Sequence, residues 1–101
     1  MTKKTLYISD LDGTLLNSQS QVSAASRDML NRLIADNGIN FSIATARTPA
    51  TVVQLMDGID SRLPYIVMTG AAMWQDGLVN QTYMRPEEVE CLSELSRKYG
   101  I

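Results

Sequence analysis

The sequence predicts an α/β domain built on a parallel sheet. Three observations lead there. Short apolar runs at residues 5–9, 39–44 and 65–68 read as strands. Segments with helical apolar spacing separate the first run from the second and the second from the third. Alternation on this scale is the pattern of right-handed βαβ units, in which consecutive strands lie side by side. The first strand is apolar nearly throughout, as expected of a strand covered on both faces.

The elements follow in order. The first strand spans about 5–9, and residues 11–21 are expected to fold back as a small hairpin or flap. Ser23 is a good N-cap for a helix over about 24–36, with Ala25, Met29, Leu30, Leu33 and Ile34 on one face. Asn37-Gly38 ends it, glycine supplying the left-handed position after the last turn. The second strand is Ile39 to Ala44. Thr48-Pro49 caps and opens a helix to about Asp57, before Gly58. Tyr65-Ile66-Val67-Met68 forms the third strand, and Ala71–Trp74 with Leu78–Thr82 flank Asp76-Gly77 as a hairpin. Pro86-Glu87-Glu88 opens the last helix, with acids at its positive end and Arg97-Lys98 at its negative end.

Bulk properties narrow the function. The chain has 101 residues, at most one domain by length, and nine basic against eleven acidic residues give a net charge of −2. There is no basic run and no apolar stretch of membrane-spanning length, so neither nucleic acid nor membrane is an expected partner. The opening residues lead straight into a strand, with no signal peptide expected. A lone cysteine, Cys91, cannot form an internal disulfide and fits a reducing cytoplasm. On its helix it reads as a small hydrophobe, and Trp74, Tyr83 and the methionines read as packing residues. With no histidine, His-dependent triads are excluded within the chain.

The chemistry concentrates where the first strand ends, in Ser9-Asp10-Leu11-Asp12-Gly13-Thr14-Leu15. Two carboxylates spaced i, i+2 repel one another and favour a hard cation such as Mg²⁺. With their charge offset, one aspartate can attack phosphorus and the other can handle protons. The plain alternative is an Asp-Gly turn between two apolar pairs. An EF-hand loop begun at Asp10 fails, because Leu15 and Gln21 stand where Gly and Glu are required.

This stretch resembles motif I of the haloacid dehalogenase superfamily, Asp-x-Asp-x-Thr, in the form typical of its phosphatases. The resemblance implies a Rossmann-like core, Asp10 as nucleophile and Asp12 as general acid/base. It implies Mg²⁺ held by Asp10 and by the backbone carbonyl of Asp12, with Leu11 and Gly13 among the phosphate contacts. The second strand runs into Ala44-Thr45-Ala46-Arg47, similar to motif II, and to the Ala-Thr-Gly-Arg of the Cof-type sugar-phosphate phosphatases. Thr45 then holds the transferring phosphoryl group, and Ala46 and Arg47 join it as phosphate or substrate contacts. By itself Thr45 reads more often as a turn or capping residue, and Arg47 equally as a surface arginine at a helix entrance. Ala46 replaces the usual glycine, which is tolerable unless a positive φ is needed there. Met68-Thr69-Gly70-Ala71 is similar to the Asn-Gly-Ala turn of the same proteins, with Thr69 in place of Asn.

The resemblance covers almost the whole chain but only part of the family's machinery. Lys98 is the only lysine after Lys4, and no acidic strand end follows Asp12, so the family's motif III lysine and motif IV aspartates have no counterpart here. Residues 1–83 are therefore expected to form the first part of the core, and 84–101 the linker and first helix of a cap. The implied parent is a Mg²⁺-dependent phosphatase of a small phosphorylated metabolite. The chain alone is expected to be inactive and to be able to self-associate through the exposed edge of its first strand. The competing class is a non-catalytic assembly module derived from such an enzyme.

Overall fold

Leu6–Ser9 (β1) and Asn40–Ile43 (β2) pair in parallel, Leu6 opposite Asn40 and Ser9 opposite Ile43, in a computed structural model that describes residues 4–101. Between them runs a helix, Ala24–Asn37 (α1), started by the Ser23 hydroxyl accepting from the Ser26 amide and stopped by Gly38 at φ 62°. A second helix, Pro49–Leu55 (α2), leads to Tyr65–Val67 (β3). β3 joins β2 through one parallel bridge, Ala44 to Ile66, where the Thr45 amide donates to the Ile66 carbonyl at 3.0 Å. The order is thus 1-2-3, the simplest right-handed arrangement. β3 continues into an antiparallel meander of Ala72–Trp74 (β4) and Leu78–Val79 (β5). The last helix is Pro86–Tyr99 (α3).

β2 is the central strand. Phe41, Ser42 and Ile43 are all buried, so side chains on both of its faces are covered. The hydroxyl of Ser42 donates to the Pro64 carbonyl at 2.5 Å, which satisfies a polar group that would otherwise be costly to bury. Ile43 belongs to one buried cluster with Leu11, Val52, Val67 and Ala72, to which α1 contributes Ile34. Asn31 ties α1 to the loop after α2, its amide donating to the Gly58 carbonyl and its oxygen accepting from the Asp60 amide, both at 2.8 Å.

Several expectations needed correction. Residues 11–21 fold back but form no strand ladder. The Leu16 amide closes a wide turn onto the Leu11 carbonyl, and the Asn17 amide closes a second onto Gln21. Leu11, Leu16 and Val22 anchor this segment in the core, so it is pinned down rather than a free flap. α2 stops at Leu55, two residues short of Asp57, and Thr48 makes no side-chain capping bond. The hairpin turns on three residues, Gln75 to Gly77, and its second strand holds only two. Tyr83 and Met29 are exposed rather than packed, and Cys91 is an exposed free thiol.

Two regions stay uncovered. β1 lies at the edge of the sheet among the described residues, with Leu6, Tyr7 and Ile8 each about half exposed. Burial on both faces is therefore not realised here. α3 buries none of its residues. The radius of gyration, 17.2 Å, exceeds the roughly 13 Å of a compact domain of this size, as a projecting helix requires.

Candidate active site

All three parallel segments deliver their carboxyl ends to one place, where open α/β sheets carry their ligands. The Ala44 amide donates to the Ser9 carbonyl at 2.9 Å, so Asp10 and Thr45 emerge side by side from β1 and β2. The Thr69 amide donates to the Thr45 carbonyl and the Met68 amide to the Arg47 carbonyl, both at 3.0 Å, which fastens the turn after β3 to the same edge. A cavity of about 530 Å³ opens here. Asp10, Asp12, Thr45, Ala46, Thr69 and Gly70 line it, over an apolar floor of Ala44 and Ile66.

Each predicted residue can now be placed. Asp10 is solvent-accessible, and one of its carboxylate oxygens accepts from the Leu11 amide at 2.8 Å. The side chain of Leu11 is fully buried in the core, and its N–H already serves Asp10, so it offers the cavity no free donor. Gly13 turns the chain at φ 77°, a conformation costly for other residues, and lies outside the cavity lining. Thr45 is buried to all but 6 %, and its hydroxyl accepts from the Arg47 amide at 3.1 Å. Ala46 lines the cavity and is not among the residues with positive φ, which explains why alanine serves in place of glycine.

Arg47 is engaged differently from a phosphate-binding side chain. Its guanidinium grips Asp12 with both arms, Nε to Oδ2 at 2.9 Å and Nη2 to Oδ1 at 2.7 Å. The hydrogen bond from Arg47 holds the Asp12 carboxyl below the ordinary aspartate range, and the pairing in turn keeps the guanidinium protonated. Nothing in the spacing of two residues 35 positions apart announces this pair. Thr69 was also not singled out as a site residue, although it lines the cavity. Its backbone sits at φ 55°, ψ 34°, after Met68 at φ 50°, so a β-branched residue occupies the left-handed region. The Asn usual at this place in the resembled turn tolerates that conformation better, and this substitution was the available signal.

The residues match a protein family over 7–101, that of the haloacid dehalogenase-like hydrolases. The chain belongs to that family. A Bacillus subtilis protein named as 5-amino-6-(5-phospho-D-ribitylamino)uracil phosphatase YwtE is 36 % identical over 87 residues, which make up 84 % of this chain and 29 % of the relative. A second B. subtilis protein named for the same activity, YcsE, is 27 % identical across 90 % of this chain and 37 % of its own length. In three dimensions the chain resembles BT1666, a phosphatase of the same superfamily from Bacteroides thetaiotaomicron. The TM-score is 0.79 at 28 % identity, covering 96 % of this chain and 36 % of the other. The chain therefore spans about a third of the length of each relative.

The donor set at the strand ends suits Mg²⁺ as far as it goes. Asp10 and Asp12 offer hard carboxylate oxygens, and Mg²⁺ ordinarily takes one or two of these and retains several waters. Among the described residues no cluster of three or more metal-ligating side chains occurs. These two aspartates are accordingly the metal-binding candidates.

Proposed function

We propose that this chain is the nucleophile-bearing part of a Mg²⁺-dependent phosphomonoester hydrolase of the Cof type. The observation that carries the reading is the convergence of Asp10, Asp12 and Thr45 on one cavity at the carboxyl ends of adjacent parallel strands. An Asp10 carboxylate oxygen attacks phosphorus and the ester P–O bond breaks, leaving an aspartyl-phosphate. Asp12 acts as the general acid in its protonated form, released from Arg47, and gives that proton to the departing alkoxide. As a carboxylate it then takes a proton from water, whose oxygen attacks phosphorus and releases phosphate, restoring Asp10. Thr45 and the backbone of Ala46 position the phosphoryl group. Mg²⁺, held by Asp10 and the Asp12 segment, supplies charge compensation between carboxylates and phosphate. The substrate is a small phosphorylated metabolite, and the relatives' names point to a phosphorylated sugar alcohol on a larger ring compound. No helix among the described residues is long and apolar enough to cross a membrane, and the lone Cys91 suits a reducing cytoplasm.

The full-length phosphatase that this reading implies provides the test. Asp10→Asn abolishes its turnover of phosphate monoesters while leaving the fold intact, and Asp12→Ala slows it by roughly 10²–10⁴. Undiminished turnover by Asp10→Asn overturns the reading. The 101-residue chain by itself is expected to be inactive, since it holds no counterpart of the family's motif III lysine or motif IV aspartates. The free edge of β1, identical in every copy, suits antiparallel pairing about a two-fold axis. Its mass in solution is then that of a dimer or larger, and a monomer with ordinary enzymatic turnover contradicts both statements.

A further inference from the structure

We propose that Arg47 is an exchangeable counter-ion: it clasps Asp12 in the free chain and turns to the phosphate when a divalent cation settles beside the two aspartates. The inference rests on the phosphatase reading above and adds to it a role for a residue otherwise assigned only a phosphate contact. Both nitrogens of the fork used here are committed to one carboxylate, at 2.7 and 2.9 Å. In that position Arg47 compensates one of two carboxylates that would otherwise repel each other and any incoming phosphate. A dication at the same pair duplicates that role, and its charge opposes the guanidinium. The two cations therefore compete.

The backbone around Arg47 is built for such an exchange. Its amide donates to the Thr45 hydroxyl and its carbonyl accepts from Met68, so the main chain is fixed at both groups. Only the long side chain is free to pivot. The ion pair is reached by water, with 30 % of the Arg47 side chain and 56 % of the Asp12 side chain exposed. Pairs so exposed are weakly held and readily broken. The guanidinium starts on Asp12, which lines the same cavity as Thr45, and a planar fork suits a phosphate as well as a carboxylate.

Competition has a sign that a purely structural role lacks. Calorimetry with Mg²⁺ alone should show tighter binding to Arg47→Gln than to the wild-type chain, by roughly three- to tenfold, the effect of removing a unit charge several ångströms from a dication in water-like surroundings. Inorganic phosphate should bind the wild-type chain more tightly once Mg²⁺ is saturating, and this gain should shrink in Arg47→Gln. The same exchange is read without any substitution from the Arg47 Nε–H resonance, which should shift as Mg²⁺ is added. An unmoved resonance under saturating Mg²⁺, or Mg²⁺ bound equally or less tightly by a folded Arg47→Gln, overturns the proposal and leaves the phosphatase reading standing. No saturable Mg²⁺ binding to either form overturns it together with the metal assignment of this chain.

Discussion

The sheet edge that carries the site and the α3 helix both bear large apolar side chains, yet they end in opposite conditions. At the edge, Ile43 and Val67 are fully buried, and the amides and carbonyls of residues 44–47 and 66–69 bond one another across strands. In α3, Val89, Leu92, Leu95 and Tyr99 form a stripe that covers nothing. A helix of 14 residues without tertiary packing is marginal in water, whereas a strand inside a core is held by everything around it. The contrast teaches that the candidate site depends on the sheet and owes nothing to the helix that follows it.

The strongest way to break this comparison is to truncate matching side chains in the two regions. Ile43→Ala is expected to cost about 2–5 kcal/mol, because it opens a cavity at a fully buried position. Leu92→Ala in α3 should change stability by no more than about 0.5 kcal/mol. Chemical denaturation of both variants decides the matter, and similar losses would mean that α3 packs in solution.

A smaller effect sharpens the picture at the site itself. Thr69 holds a left-handed conformation that a β-branched residue occupies only under strain. Thr69→Asn should stabilise the chain by about 1 kcal/mol, read as a raised Tm. A lowered Tm would show that the threonine side chain makes a stabilising contact outweighing its backbone strain.

The smallest effect concerns the Arg47 clasp. Asp12 has its folded value lowered by Arg47, so the pair contributes stability above the ordinary aspartate range near pH 4. That contribution is lost as the pH falls through the lowered folded value. Between pH 6 and pH 2.5 the wild-type Tm should therefore fall slightly further than that of Asp12→Asn. Parallel curves would show that the ion pair adds nothing to the free chain.

Much of this architecture was legible beforehand, for identifiable reasons. Glycine after Asn37, Ser23 before the helix and proline at position 49 are local signals, and each acts within a turn of where it stands. The parallel pairing of β1 with β2 follows the tendency of strands joined by one helix to lie side by side, which is a rule about chains in general. Asp10 and Thr45 were placed together on that rule alone, and the structure brings them together. What sequence reasoning missed depends on distance and context. The grip of Arg47 on Asp12 joins residues with no periodic relation, and the fate of Leu11 turns on which way a wide turn faces. Met29 and Tyr83 were expected to pack and are exposed, because an apolar residue reports what a surface can bury and not whether a partner is present.

The three successive left-handed residues at 68–70 have a bearing on which sequences can inherit this scaffold. Met68, Thr69 and Gly70 stand at φ 50°, 55° and 89°. Most side chains are penalised there before any chemistry is considered, so the positions act as a narrow gate on heritable change. Ala46, on the same cavity rim but without a positive φ, meets no such backbone filter. Variation in the ligand pocket should consequently enter through position 46 far more often than through the turn. A saturation library scored only for folded chain would show it, with glycine and asparagine dominating at 68–70 and a broad alphabet surviving at 46.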